Sequence, residues 1–187
     1  MEARALLDAL HVAERLKDET RHCYTSGGRH ESVAEHSWRI AFWMKDEFPD
    51  VDIDKVIRMC LIHDLGECFI GDIPTFAKTD ADEAREEAEL MAWVRSLPEP
   101  VSGEMEALYR EMIALETPEA KLYKAMDKLE AIVQHNESDI ATWEPHEYQL
   151  NMTYADDAVA WSPVLRELRE AIRNDTKAKI AAAEQQA

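Results

Sequence analysis

The spacing of hydrophobic and polar residues predicts a series of helices along the chain. The first residues, MEARALLDALHVAERLKDE, form a charged amphipathic pattern that is typical of a surface helix. The sequence Ser32-Val33-Ala34-Glu35 matches a capping box, in which Ser and Glu satisfy backbone N–H groups at a helix start. We therefore predict a helix from residue 33 to about residue 48, ended by Pro49, with His36 in its first turn.

The next apolar pattern, VIRMCLIHDL, predicts a second helix. Either Asp52 or Asp54 can cap its start, and Gly66 lies just past its expected end. Apolar residues at helical spacing share one stripe with His63. The pair His63-Asp64 is therefore expected at a helix C-terminus.

Further helices are predicted from their capping residues and their lengths. They cover residues 82–97, 102–116 and 118–137, and a last helix begins at Ser162-Pro163 and ends in a frayed tail. Residues 66–80 read as a loop, because they contain two glycines and a proline. No run of alternating residues is long enough to argue for a sheet, so the predicted fold class is all-α.

Composition narrows the class of protein. A chain of 187 residues with 46% hydrophobic residues, 5 Gly and 7 Pro fits one compact helical domain. The formal net charge of −18 argues against a nucleic-acid partner, although a few cations focused in one cleft still allow a small anionic ligand. No apolar run is long enough for a membrane span and no signal peptide is recognised, so a cytoplasmic protein is expected. The three cysteines form no C-x-x-C pair.

One apolar stretch, CLIHDLGECFIGDIPT, contains four groups that are costly to bury: His63, Asp64, Glu67 and Asp72. Burying such groups without partners costs roughly several kcal/mol each. Either they lie on the surface as ordinary helix residues, or they bind something. With His36 and Asp127 they supply two imidazoles and carboxylates, a ligand set suited to a divalent Mn, Co, Fe, Ni, Zn or Mg ion.

The order of these residues resembles the signature H…HD…D of the HD-domain metal-dependent phosphohydrolases. Here it reads AEH ending at His36, then IHD, then KAMDKLEA with Asp127. The segments ESVAEHSWR, IHDLGE and GDIPTFAK are similar to those of the 5′-deoxynucleotidase subfamily. The resemblance implies a single-domain HD-domain helical bundle over residues 1–187, with core motifs at about 16–133 and a C-terminal helical extension to about 180.

The resemblance also implies roles for individual residues. The metal ligands would be His36, His63, Asp64 and Asp127. Glu67 and Asp72 would be the catalytic carboxylates. The substrate-binding residues would be Arg21, Asp72, Ile73, Pro74, Thr75 and Lys78. The expected protein is a homodimeric hydrolase with one divalent metal ion, which removes the 5′-phosphate from (deoxy)ribonucleoside monophosphates by attack of a metal-activated water. No histidine lies between Asp64 and Asp127, which favours a mononuclear site.

Alternatives stay open at this stage. The chain could be an HD phosphohydrolase acting on nucleoside triphosphates or another small phosphate ester, or a non-catalytic metal-binding helical module. Four histidines are not expected to be ligands: His22, His30, His135 and His146. Three tryptophans, Trp38, Trp43 and Trp93, are expected in the core or a dimer interface. Residues 134–154 could shape a pocket or a dimer contact, and Tyr24 is only a candidate for the aromatic that often follows the subfamily's phosphate-binding arginine.

Overall fold

The structure, a computed structural model, describes residues 3–42 and 47–185. Over these ranges it contains ten α-helices, two 3-10 turns and one antiparallel pair of strands. The helices are α1 (Ala3–Ala13), α2 (Val33–Ile40), α3 (Ile53–Ile62), α4 (Glu67–Ile70), α5 (Asp80–Ser96), α6 (Val101–Ala114), α7 (Pro118–Glu137), α8 (Glu147–Thr153), α9 (Asp156–Val159) and α10 (Pro163–Glu184). The strands are β1 (Thr20–Tyr24) and β2 (His30–Ser32), and the 3-10 turns are Glu14–Lys17 and Ile140–Thr142. The predicted all-α class is confirmed.

Helix α7 is the centre of the fold. It packs against α2, α3, α6, α9, α10 and strand β1. Its buried residues lie on most of its circumference, which is typical of a core helix rather than a surface helix. They include Leu122, Met126, Leu129 and Ile132, together with the charged Glu130. Chemistry-bearing side chains on α7 are therefore held in a rigid, packed environment.

The predicted helix starts agree with the structure. Ser32 and Glu35 form both hydrogen bonds of the capping box at the start of α2. The Asp52 side chain, one of the two candidate caps, accepts from the Lys55 backbone N–H at 3.1 Å. Thr117 and Ser162 cap α7 and α10, each followed by proline in the first turn. Such caps are recognisable in sequence because their hydrogen bonds are local.

Helix α2 is shorter than predicted, because it ends at Ile40 with Ala41 as its C-cap. Its buried stripe is Val33, His36, Ser37 and Ile40, whereas Trp38 is 62% exposed and Phe42 is 80% exposed. Of the two places expected for Trp38, its exposure excludes the core of this chain and leaves the dimer interface as a prediction. Trp43 lies outside the described residues. Trp93 is partly buried and packs beside Phe69.

Two short elements were not predicted. The single turn α4 interrupts the segment predicted as a loop, and a four-residue helix is too short to show a hydrophobic period. Strands β1 and β2 form a hairpin across residues 25–29, where Gly28 has φ +81°. Five- and three-residue strands give no usable alternation. Both elements matter, because β1 carries Arg21 and α4 carries Glu67.

The C-terminal third covers one side of α7. Helix α10 packs directly on α7, α9 contacts both of them, and α8 packs on α10. Arg169 of α10 donates to the backbone carbonyls of Asn151 and Tyr154. These hydrogen bonds hold the end of the segment 134–154, whose role the sequence left open. In the described ranges, no helix has the length and apolar character required to cross a bilayer.

Candidate active site

His36 lies in the first turn of α2 and is fully buried. Its Nδ1 lies 2.5 Å from Oε2 of Glu130, a carboxylate buried on α7. A carboxylate accepts from this nitrogen, so the proton lies on Nδ1 and the lone pair of Nε2 faces the other way. A histidine held by a carboxylate in this manner is the usual arrangement of a metal ligand.

His63 is the C-cap of α3, as predicted, and the same logic applies to it. Its Nδ1 donates to the Cys60 carbonyl oxygen at 2.8 Å, so Nε2 is the nitrogen that can bind a metal ion once the ion displaces its proton. The neighbouring Ile62 carbonyl accepts from the Tyr109 hydroxyl at 2.6 Å, so the end of α3 is held firmly. Nε2 of His63 is buried and has no hydrogen-bond partner within the described chain.

The four predicted ligands converge. The His63 Nε2 atom lies 3.0 Å from Oδ2 of Asp64 and 3.7 Å from Oδ1 of Asp127. The His36 Nε2 atom lies 3.2 Å from the same Asp127 oxygen and 3.9 Å from the same Asp64 oxygen. Two imidazole Nε2 atoms and two carboxylate oxygens thus surround one point. The buried Nε2 of His63 makes no well-directed hydrogen bond although it lies close to two carboxylates, so the donor set fits a divalent metal ion.

The charge of the cluster also suits a cation. Although burial opposes the charged form, the carboxylates of Asp64 and Asp127 raise the pKa of His63 to about 10. In turn His63 lowers the pKa of Asp64 to about 2 against the effect of burial. The cluster therefore holds positive charge strongly, and a divalent ion can take the place of the protons.

Two other groups of ligand-type atoms occur among the described residues. One is Glu31, His36 and Glu130, which shares His36 with the main cluster. The other is His22, Cys23 and His135, but burial raises the pKa of the Cys23 thiol to about 12. A protonated thiol is a poor ligand. The cluster of His36, His63, Asp64 and Asp127 is therefore the best candidate for a catalytic ion.

Asp64 and Asp127 form part of the wall of a cavity of about 400 Å³. This volume lies within the range of roughly 300–1,000 Å³ that is usual for small-molecule sites. Of the other residues named from the sequence, the cavity is lined by Arg21, Glu67, Asp72, Ile73, Pro74, Thr75 and Lys78. The structure thus brings the predicted metal ligands, catalytic carboxylates and substrate-binding residues to one place.

Glu67 begins α4 and is buried at the cavity wall. Its Oε2 atom has no hydrogen-bond partner in the described chain. Burial, together with the negative charges of Asp64 and Asp72, raises the pKa of Glu67 to about 11. Without a cation nearby this carboxyl is protonated at neutral pH, so it can donate a proton to a leaving oxygen.

The loop after α4 is positioned by backbone contacts. Gly71 has φ +84°, a conformation that favours glycine, and the Asp72 N–H donates to Oε1 of Glu19 at 3.0 Å. These contacts present Asp72 at the cavity wall. Burial raises the pKa of Asp72, whereas the positive charge of Arg21 lowers it.

Two predicted cations reach the cavity while keeping structural partners. Nε of Arg21 lies 3.6 Å from Oε2 of the buried Glu31. The Lys78 ammonium lies 2.6 Å from Oε2 of Glu86. Each of these two cations is therefore paired with a carboxylate and also lines the cavity.

Comparison with known proteins agrees with this geometry. A family model described as "HD domain" matches residues 13–169. The chain belongs to the HD-domain family. Human 5′-deoxynucleotidase HDDC2 is 32% identical to this HD-domain chain over 154 residues, which is 79% of this chain and 74% of the human protein. A protein named dATP triphosphohydrolase from Cyanophage S-2L is 31% identical over 109 residues, 55% of each chain.

A solved structure also resembles this HD-domain protein. It is described as a predicted metal-dependent phosphohydrolase from Magnetospirillum magnetotacticum, is 27% identical and superposes with a TM-score of 0.77. The match covers 94% of this chain and 93% of that one. The family and the fold predicted from the sequence are therefore confirmed.

Several side chains of this HD-domain site were not singled out from the sequence. Glu130, three residues after Asp127 on α7, supports His36, and the spacing D-x-x-E was the available signal. Lys124 donates to Oδ2 of Asp127 at 2.7 Å from the preceding turn. The far wall of the cavity had no recognisable motif, and its side chains include His22, Phe76, His135, Glu147, Asn151 and Tyr154. Tyr24 is not among the cavity residues, and its ring lies on His30 instead.

Proposed function

We propose that this chain is a metal-dependent 5′-deoxynucleotidase, which hydrolyses deoxyribonucleoside 5′-monophosphates to a nucleoside and inorganic phosphate. The observation that carries the proposal is the convergence of two imidazoles and two carboxylates at the wall of a cavity of about 400 Å³, with no well-directed hydrogen bond to the buried Nε2 of His63. The human relative named 5′-deoxynucleotidase, which matches 79% of this chain, supports the substrate class.

In this proposal His36, His63, Asp64 and Asp127 hold one divalent ion. When bound, the ion lowers the pKa of water and polarises a phosphoryl oxygen. The identity of the metal stays among Co, Mn, Mg, Zn, Ni and Fe, because imidazole and carboxylate ligands accommodate all of them. Glu130 and the Cys60 carbonyl act through the histidines, because they orient the imidazole rings.

The chain's own groups would carry the proton transfers and bind the phosphate. Glu67, buried at the cavity wall, would take the proton of the attacking water and pass it to the leaving 5′-oxygen. Arg21 offers a guanidinium to the phosphoryl oxygens, which it can bind through paired hydrogen bonds. Asp72 is the second catalytic carboxylate. The backbone of residues 72–75 and Lys78 line the nucleotide site around these groups.

The test is phosphate release by protein that has been stripped with a chelator and reloaded with one metal at a time. We expect orthophosphate from deoxyribonucleoside monophosphates with at least one of the six metals. Glu67→Gln should bind the same amount of metal and lose hydrolysis by roughly 10²- to 10⁴-fold. Exposed Glu137 at the end of α7 provides a matched control, since Glu137→Gln should be fully active.

Two outcomes would overturn this function. Release of pyrophosphate or triphosphate from nucleoside triphosphates, with monophosphates untouched, would instead favour the activity named for the cyanophage relative. Metal-loaded protein that hydrolyses no phosphate ester would indicate a binding module. Wild-type activity of Glu67→Gln would remove the assigned role of that carboxylate.

We also propose that the protein is a cytoplasmic homodimer. Helix α1 has no buried residue, and Leu6, Leu7 and Leu10 are each about half exposed. Trp38 on α2 and Phe42 just after it are also exposed. Apolar side chains of this size are typical of surfaces covered by a partner. Sedimentation of the purified chain at micromolar concentration tests this proposal, and a single monomer species would contradict it.

A further inference from the structure

The far wall of the cavity is a contiguous cluster that the phosphate chemistry does not use. His22 lies at its centre, because its ring centroid is 5.2 Å from Phe76 and 5.4 Å from His135. Its Nε2 lies 2.9 Å from Oε1 of Glu147. Asn151 joins the cluster through its amide nitrogen, 2.9 Å from Nδ1 of His135. We call these five residues the distal wall, and all of them line the cavity.

Helix α7 gives the separation between the distal wall and the metal ligands. Asp127 and His135 are eight residues apart on this helix, which corresponds to about 12 Å along its axis. Ala131 lies between them at helical spacing and also lines the cavity. A 5′-nucleotide spans a comparable length from phosphate to base. If the phosphate lies at Asp127, the base therefore reaches the distal wall.

The polar part of the distal wall is rigid and internally satisfied. Glu147 is buried, and its Oε2 accepts from the Glu144 backbone N–H at 2.7 Å while Oε1 faces His22 and His135. Desolvation, with a smaller effect from His22, lowers the pKa of His135 to about 4, so this ring is neutral. A closed hydrogen-bond network of this kind forms a fixed surface and needs no ion of its own.

Phe76 differs from its neighbours because its ring is unusually accessible. It belongs to the segment GDIPTFAK, is 49% exposed, and packs at steep angles against His22 and His146. A large apolar ring that lines a cavity and stays half exposed gains free energy when a flat ligand covers it. Aromatic side chains bind nucleobases in this way, and stacking tolerates every base because each has a π-face.

We propose that the distal wall forms a nucleobase subsite, in which the base stacks on the Phe76 ring without selection among bases. The proposal rests on the proposed function, because it places the phosphate of the same substrate at the metal cluster. It assigns to Phe76 a part in binding, with no part in the chemistry at phosphorus.

The test compares substrates with and without a base. In Phe76→Ala, we expect kcat/KM to fall roughly tenfold or more for each of the four common deoxyribonucleoside monophosphates, mainly through KM. Turnover of deoxyribose 5-phosphate, which has no base, should stay within twofold of wild type. Phe76→Trp should restore nucleotide turnover because it restores an aromatic face. Phe42→Ala removes an equally large ring that is 80% exposed just after α2, and it should change the turnover of neither substrate.

Two results would overturn the subsite. One is an equal loss for nucleotides and for deoxyribose 5-phosphate, which would indicate a structural role for Phe76. The other is nucleotide turnover in Phe76→Ala that matches wild type. A large loss for one base alone, with the others unchanged, would also contradict a base-tolerant stacking site.

A binding measurement separates this proposal from the proposed function. Calorimetric titration with deoxyadenosine and thymidine, which carry no phosphate, reports base binding whether or not the protein hydrolyses anything. We expect weak binding by wild type and at least tenfold weaker binding by Phe76→Ala. If no nucleotide is hydrolysed but nucleosides bind through Phe76, the proposed function fails and the subsite stands. If nucleotides are hydrolysed but Phe76→Ala binds nucleosides as wild type does, the subsite fails alone.

Discussion

Glu130 offers the sharpest test of the metal centre, because it touches the ion only through His36. In Glu130→Gln the side chain keeps its size and one acceptor oxygen but loses its charge. The wild-type carboxylate is 1% exposed, and its Oε2 lies 2.5 Å from Nδ1 of His36. The substitution therefore converts a buried charge-assisted hydrogen bond into a neutral one, with little change in packing.

The expected magnitude follows from the two kinds of hydrogen bond. A hydrogen bond to a charged group contributes about 1.5–3 kcal/mol and a neutral one about 0.5–1.5 kcal/mol. We therefore expect the metal-binding free energy to weaken by the difference, about 1–1.5 kcal/mol. That difference corresponds to roughly tenfold in a dissociation constant. Mutating a residue that hydrogen-bonds a metal ligand usually lowers metal affinity by roughly 10- to 100-fold, and the value expected here lies at the lower end of that range.

The assay is competition between the protein and a chromophoric chelator for one metal, for example Zn²⁺ or Mn²⁺. Glu130→Gln should bind metal roughly tenfold more weakly, and its activity should recover when metal is raised to saturation. Glu137→Gln is the control, since Glu137 lies on the same helix and pairs with Arg39 at the surface. Unchanged metal affinity in Glu130→Gln would refute the claim that this carboxylate fixes the tautomer of a metal-binding His36.

Three further outcomes are expected. Glu67→Gln should be more stable than wild type in the metal-free form, and the difference in the free energy of unfolding by urea should grow by up to about 1.4 kcal/mol per pH unit between pH 6 and 8. The reason is that the wild-type carboxyl has a folded pKa of about 11, so the wild type loses stability as the pH rises towards that value. A difference that does not depend on pH would contradict this. Arg169→Met should lower the free energy of unfolding by roughly 2–3 kcal/mol, because the guanidinium holds two backbone carbonyls beside α8; a stability equal to wild type would refute it. Ser32→Ala should cost about 1 kcal/mol in the same assay through loss of the α2 cap, and Ser96→Ala, which alters only an exposed hydrogen bond, should cost less.

The helix starts were predictable because their determinants are local. Ser32 and Glu35 are three residues apart, and Thr117 precedes the proline of α7, so the sequence itself contains both partners of each cap. The end of α2 was not predictable in this way. The pattern from residue 33 to 48 gave no local stop signal before Pro49, whereas the helix ends at Ile40.

The proposed metal ligands were assigned from a resemblance, whereas the residues that orient them were not predicted. His36 and Asp127 are 91 residues apart, and the sequence alone gives no distance between them. In the sequence, Glu130 looks like any other acidic residue of a helix, and only the structure shows that it is buried against His36. The same holds for Glu147, which the sequence placed in a segment of undetermined role and the structure places in the cavity wall.

Helix α7 carries Lys124, Asp127, Ala131 and His135 along one face, and all four line the cavity. By contrast, Phe76 lies in the loop after α4 and Glu147 lies on α8, so neither belongs to helix α7. Helix α8 therefore contributes to the proposed base-binding wall without carrying any residue proposed for hydrolysis. Exchanging α8 would change the surface that faces the base while the proposed metal ligands and catalytic carboxylates stay in place.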